Sequence, residues 1–272
     1  MGAPMPGFDL PAPIWRSALA DVLAAFQAWP RILYLAWGDT VARYRRSLLG
    51  PLWMTLGAAA GGLGLGTMWS YLFHVDRENF IATITVGLLV WQFIAAILVE
   101  SPTLFVSQAT LMRNLRIPVF YHVLALMARQ LITFLHNSVV IVFVLWAWSS
   151  HSTHLLLSLL GALLVLGNLL WMSLLLALLG ARLRDVGPLV QNLMPLLFFL
   201  TPIMFKPQAL ATHQWMVWWN PLSYMVCILR DPLLGEVPAA FEYEVTVLAL
   251  VLGWALSFSL FAWRRARLIY WV

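Results

Sequence analysis

Apolar residues recur along most of this chain in long runs, separated by short stretches rich in proline, glycine and charge. Residues 1–15 are proline-rich and read as irregular. After them Leu19, Val22, Leu23 and Phe26 fall at i, i+3, i+4 and i+7, one face of a helix that Pro30 is expected to end. A second piece, Trp37 to Leu49, carries Arg43, Arg45 and Arg46. Both are too short and interrupted to span, and they suit amphipathic helices lying in an interface plane. Gly50 and Pro51 then punctuate the chain, Pro51 being tolerated in a first helical turn where its missing N–H would have no partner anyway.

Six apolar runs follow, at about 52–73, 81–99, 120–148, 155–181, 189–205 and 245–263, most of them near the ~20 residues that cross a bilayer. The fifth is short and holds Pro195 and Pro202. Between the fifth and sixth, residues 206–244 form a long connection that is unusually apolar, with Trp215, Met216, Trp218, Trp219, Tyr224 and Leu229. Asn220-Pro221 divides it into two stretches too short to cross, which read as a re-entrant or interfacial hairpin. The expected fold class is therefore an all-α polytopic membrane protein. It has six transmembrane helices, N-terminal amphipathic interfacial helices, and an external re-entrant helical hairpin between spans five and six. The division is a cytoplasmic or interfacial segment (1–50), a six-span domain (51–263) and a basic tail (264–272).

Composition agrees and excludes a soluble domain: of 272 residues, 62% are hydrophobic and 10% charged, with mean hydropathy +0.85, against about 25% charged in soluble proteins. The net charge of +5 then orients the chain. Arg16, Arg31, Arg43, Arg45, Arg46, Arg113, Arg116, Arg182, Arg184, Arg264, Arg265 and Arg267 fall on the side of the two termini. Only Arg77, Lys206 and Arg230 fall on the other, with Asp76, Glu78, Asp231, Glu236, Glu242 and Glu244. By the positive-inside rule both termini are cytoplasmic, and the basic charge points to anionic lipid rather than nucleic acid. The start, MGAPMPGFDLPAP, lacks a basic region and an apolar core, so no cleaved signal peptide is expected.

Several chemistries drop out. Cys227 is the single cysteine, so no intrachain disulfide or CxxC site can form. Lys206 is the single lysine and precedes Pro207, so no P-loop is present. His74, His122, His136, His151, His154 and His213 form no HExxH, and His151 with His154 is a poor ligand pair; no metal site is expected. Within the spans the ionisable residues noted are Glu100 and Arg129, read as an interfacial pair in preference to a transport relay. Gly57-xxx-Gly61 and Gly62-xxx-Gly66 permit close helix packing, within the chain or between copies. Among the many aromatics, Trp69, Tyr71, Trp91, Trp218 and Tyr224 are candidates to line a sugar path, while most serve as interfacial belt or core.

Four stretches together resemble one family, the membrane permeases of bacterial ABC-2 polysaccharide exporters. They are WGDTVARYRRSLLGPLW (37–53), LMRNLRIPVFYHVLALMARQLITFLHN (111–137), ARLRDVGPLVQNLMPLLFFLTPIMFKP (181–207) and WNPLSYMVCILRDPLLGEVP (219–238). The resemblance runs from about residue 31 to the end, with order and spacing maintained. It implies a permease in the bacterial inner membrane, working as a homodimer with two copies of an ABC ATPase. The cargo would be an undecaprenyl-pyrophosphate-linked polysaccharide. No cofactor belongs to this chain, ATP and Mg being held by the partner. The segment 106–118 would couple to that ATPase through Arg113, Asn114, Leu115, Arg116 and Pro118. Asp39, Arg43, Tyr44, Arg45, Arg46, Gly50, Pro51 and Trp53 match the family's N-terminal signature, whose arginines can meet lipid phosphates, the ATPase or the pyrophosphate of the cargo. Arg182, Arg184 and Asp185 form a second cytoplasmic cluster, with Asp185 able to orient an arginine. Asn220 and Pro221 fall in the outer-gate region, where Asn220 can simply cap the following helix. The rival readings are an ABC-2 permease for a drug or small lipid, and a membrane-embedded lipid-linked sugar transferase, for which only Glu100 and His136 are intramembrane candidates.

Overall fold

In the computed structural model, which describes residues 14–44, 52–74, 77–115, 117–148 and 153–271, every regular element is helical. Ile14–Gln27 (α1) and Trp29–Tyr44 (α2) precede Leu52–Phe73 (α3) and Arg77–Glu100 (α4). A 3-10 turn, Ser101–Thr103, leads through Leu104–Ser107 (α5) and Ala109–Asn114 (α6) into Val119–Trp148 (α7). Leu155–Arg182 (α8) and Val186–Leu200 (α9) follow. Then come a 3-10 segment, Pro207–His213, and Trp215–Trp218 (α10), Pro221–Leu233 (α11), Ala240–Arg264 (α12) and a 3-10 segment, Arg265–Tyr270.

Among the described residues four helical stretches are long and apolar enough to cross a membrane: Arg77–Ser107, Val119–Trp148, Leu155–Arg182 and Ala240–Leu268. The other two expected spans differ from them in kind. α3 has 22 residues and carries glycine at 57, 61, 62, 64 and 66. α9 has 15 residues and rises only about 22 Å, because the chain leaves the helix at Thr201, one residue before Pro202. Pro195 stays inside α9.

Pro30 does not end α1. The helix stops at Gln27, Ala28 turns, and Pro30 takes the second position of α2, where no backbone N–H is missed. The apolar face expected on α1 also points away from the protein: Leu19, Leu23 and Phe26 are about half exposed, and the packed face is Ala18, Asp21 and Ala25. Small side chains let α1 lie close on α7 and leave the larger ones for lipid, as an interfacial helix requires.

α4 is the centre. In its apolar stretch 78% of residues are buried, against 17% in α7, and it packs on α3, α7, α8, α9 and α11. Val86, Val90 and Ile94 are fully enclosed with Leu169 of α8 and Val226 and Ile228 of α11. With no water to expel between spans, such contacts hold by dispersion and close fit. Gly62 and Gly66 show the fit: a Cβ on them would lie 2.1 Å from Thr85 Oγ1 and 2.8 Å from Ile81 Cγ1. The second glycine motif thus packs within the chain, while among the described residues nothing lies within 4 Å of a Cβ at Gly57. A second cluster, with Phe105, Phe120, Leu174, Phe261 and Leu268, fills the arginine-rich end beneath α1 and α2.

Candidate functional site

The sequence candidates gather at two ends of the bundle. At the arginine-rich end α6 is a short helix anchored by buried Met112, and it presents Arg113, Asn114 and Leu115 to the outside. Arg116 lies outside the described residues; Pro118 follows and α7 begins at once with Val119. The 265–270 segment packs against α6, held by Leu268, which is fully buried. Around it Arg264 stacks 3.8 Å over the Trp263 ring, and both Arg182 and Arg264 sit 5.7 Å from the Trp271 ring centre, within cation–π range. Arg184 and Asp185 are exposed at the α8–α9 turn. Asp185 makes no ion pair with Arg182 or Arg184; its backbone carbonyl instead accepts from Leu189 N in the first turn of α9.

Asp39 of the N-terminal signature joins a network that sequence reading gave only in part. Arg129 of α7 lies 3.6 Å from Glu100 at the end of α4 and 3.5 Å from Asp39 on α2, and Gln130 Nε2 donates to Glu100 Oε1 at 2.8 Å. The expected Glu100–Arg129 pair exists, and its third member ties α2 to both spans. For the rest of that signature, the side chains of Arg43, Tyr44 and Trp53, and the whole of Arg45, Arg46, Gly50 and Pro51, lie outside the described residues. In an Asp39→Asn background, Glu100→Arg and Arg129→Glu are each expected to lower the yield of monodisperse protein, and their combination to recover it toward the parent level. Size-exclusion profiles in detergent check this, and a double change no better than either single one would show that the pair does not act as one.

At the other end Trp218, Asn220, Pro221 and Tyr224 come together. Asn220 Oδ1 accepts from Leu222 N at 3.0 Å, the N-cap bond of α11, with Pro221 at the first helical position. Its Nδ2 donates to Thr201 Oγ1 at 2.7 Å, fastening α11 to the end of α9. Tyr224 Oη donates to the Trp218 carbonyl at 2.9 Å, and the Trp218 ring lies 4.9 Å from Tyr224 and 5.1 Å from Phe241. The remaining aromatic candidates do not join them. Trp91 is buried against Phe198 at 5.9 Å, Trp69 is half-buried on α3, and Tyr71 is exposed there.

Sequence reading counted Arg230 among the three basic residues away from the termini and gave it no role; in the structure it is fully buried. Its Nη1 donates to the Pro202 carbonyl and lies 3.4 and 3.5 Å from those of Ile203 and Phe205. Nε and Nη2 reach Asp231 Oδ1 at 2.7 and 2.6 Å. One guanidinium thus secures the whole 202–205 bend after α9. Lys206 pairs with Glu236 beyond it. An arginine amid Val226, Cys227, Ile228 and Leu229 was the available signal. The Cys227, Asp231 and Glu242 ligand atoms lie within 4.8 Å of one another, but the guanidinium on Asp231 opposes a cation there. His154 N donates to the Pro232 carbonyl at 2.9 Å, and His151 lies outside the described residues.

Two cavities flank Trp171 and Met172 of α8. One, of about 270 Å³, opens between α8, α11 and α12; the other, of about 300 Å³, opens toward α9. Their polar groups are already engaged: Asn168 bonds Trp171 and Thr246, Tyr224 bonds Trp218, and Thr246 bonds Glu242. The linings are otherwise almost wholly apolar, so a sugar's hydroxyls would gain little there.

A sequence profile described as ABC-2 type transporter matches residues 30–234. The chain is 25% identical over 243 residues to a Myxococcus xanthus protein named O-antigen export system permease protein RfbA, covering 86% of this chain and 92% of the relative. Two Klebsiella pneumoniae proteins of the same name are 24% and 22% identical, covering 71% and 80% of this chain and 76% and 85% of theirs.

Proposed function

The chain belongs to the ABC-2 type transporter family, and from that premise we propose that it is the permease subunit of an exporter of lipid-linked polysaccharide, an O-antigen-like surface glycan. It is a transport permease, with ATP hydrolysis on a separate subunit. The observation that carries the substrate reading is the agreement of three relatives, each named for O-antigen export and each matched over most of its own length.

In this reading α3 and α9 join the four long helices as spans, α11 and the 207–218 segment form the external re-entrant hairpin, and both termini face the cytoplasm of the inner membrane. Among the described residues the surroundings of α4 are tightly filled and leave a wide, hydroxyl-rich chain no route within one copy. That favours a path between two copies of this chain in a homodimer, flanked by exposed aromatics such as Tyr71 and Phe199. Two ABC ATPase subunits holding ATP and Mg dock on α6 and the neighbouring arginines. The cargo is carried on undecaprenyl pyrophosphate; membrane lipids surround the chain, and nucleic acid has no part.

Depletion of the protein in its host is expected to strand lipid-linked glycan on the cytoplasmic face and remove it from the surface. Unchanged surface glycan would move the reading to a drug or small-lipid permease. Arg113→Glu with Arg116→Glu is expected to lower ATPase co-purification on the order of tenfold, as reversing charges at a docking rim does, while membrane insertion persists. Undiminished co-purification would remove these residues from the docking role.

A further inference from the structure

Asp21 is the acidic residue of α1, and nothing in its periodicity marked it for function. Its side chain is 4% exposed, and it lies under the arginine-rich end rather than on the lipid face. Oδ1 accepts from Phe120 N at 2.9 Å and Oδ2 from Val119 N at 3.1 Å, so one carboxylate holds the first two N–H groups of α7. Such donors have no partner within their own helix and carry its positive end. The same Oδ2 also lies 3.1 Å from Arg265 Nε, and Arg265 Nη1 donates to the Ser17 carbonyl one turn away on α1.

These bonds bracket α6. Its downstream end runs through 115–118 into the α7 turn that Asp21 grips. Its flank rests on the 265–270 segment, whose first residue Asp21 grips through Arg265. No other described carboxylate within 4 Å shares Arg265. A displacement of α6 therefore meets α1 by two routes that converge on one oxygen atom.

We propose that Asp21 is the positioning residue that makes α6, α1 and the end of α12 move as one body when the partner ATPase displaces α6. This rests on the reading that the ATPase docks on α6. Charge and geometry are both required. An asparagine has one accepting oxygen and no charge. Placed where Oδ2 is, that oxygen weakens both routes, by losing the charge on Arg265 and the Phe120 bond. Placed where Oδ1 is, it leaves the amide N–H₂ turned at Val119 N and Arg265, and the Arg265 route is lost. Lysine at 265 retains the charge on Oδ2, and glutamine does not.

The test uses the complete permease–ATPase complex in nanodiscs, with spin labels on cysteines placed at Leu19 and at Thr110 of α6, both exposed. In the parent protein the label-to-label distance distribution is expected to stay narrow without nucleotide and with ATP plus vanadate. In Asp21→Asn and in Arg265→Gln it is expected to broaden or shift with nucleotide, although ATP hydrolysis continues. Glycan exported per ATP hydrolysed is expected to fall about tenfold, the scale of a coupling free energy lost between two sites. Arg265→Lys restores both readouts. Distances in the variants as narrow as in the parent, or export and hydrolysis falling together in step with the amount of complex, would reduce Asp21 to a structural cap and overturn the proposal. If Asp21→Asn does not fold, Arg265→Gln, which leaves the α7 bonds intact, decides alone. Failure of the docking reading shows separately, as an ATPase that binds the Arg113→Glu, Arg116→Glu variant undiminished.

Discussion

Arg230→Leu is expected to cost most of the folded protein. The substitution leaves the Asp231 carboxylate buried without its guanidinium and strips the donor from the Pro202 carbonyl at the bend after α9. Breaking a buried pair by removing one member costs about 3–5 kcal/mol, a large share of a typical total of 5–15 kcal/mol. The damage falls where α9, α11 and the approach to α12 meet, so that end of the bundle loosens first. Arg230→Lys is expected to be intermediate, since an ammonium keeps the charge but cannot bond Asp231 and the bend through one planar fork. Arg230→Leu with Asp231→Leu is expected to be milder than Arg230→Leu alone, because no unpaired charge remains. Thermal unfolding in detergent, followed by tryptophan fluorescence, orders these variants; an Arg230→Leu protein as stable as the parent would show that the carbonyls and Asp231 find other partners.

The second large effect is expected at Gly180, near the end of α8. A Cβ there would lie 2.0 Å from the Pro102 carbonyl oxygen, 2.6 Å from its carbon and 2.7 Å from its Cα. All three are backbone atoms, so no side chain can swing aside. Gly180→Val must push α8 off the 101–103 turn, breaking the buried Ser101–Ser173 hydrogen bond of 2.8 Å on the way. Overpacking commonly costs about 1–3 kcal/mol, and this site stands at the upper end because backbone must move. Gly57→Val is the comparison, since a Cβ at Gly57 meets no atom of the described residues within 4 Å. A drop in Tm for Gly180→Val with little change for Gly57→Val is the expected pair of results, and equal effects would refute the close-approach account.

The spans of α4, α7, α8 and α12 were legible because a bilayer demands long apolar helices whatever they pack against. The Asn220 cap was legible because Asn-Pro fixes a helix start by local chemistry alone. Residues whose meaning depends on partners far along the chain were not. Asp21 meets Val119 and Phe120 nearly a hundred positions away, and no periodicity carries that information. Arg230 was only one of a few charges away from the termini, and only the bend at 202–205 explains its burial. The apolar face of α1 was legible as interfacial, while the small-residue face of Ala18, Asp21 and Ala25 that packs on the bundle was not, because its partners lie far along the chain. Trp91 was a reasonable wall for a sugar path by composition, and the packing of α4 against α9 makes it core.

The enclosure of Cys227 within α11 makes this chain a natural single-reporter background. The only native thiol is shielded, so a maleimide or spin label added to the folded protein reacts with whichever cysteine an investigator introduces. Positions along α1, α6 or α12 can then be read one at a time without first removing the native residue and repacking the helix that holds the 202–205 bend.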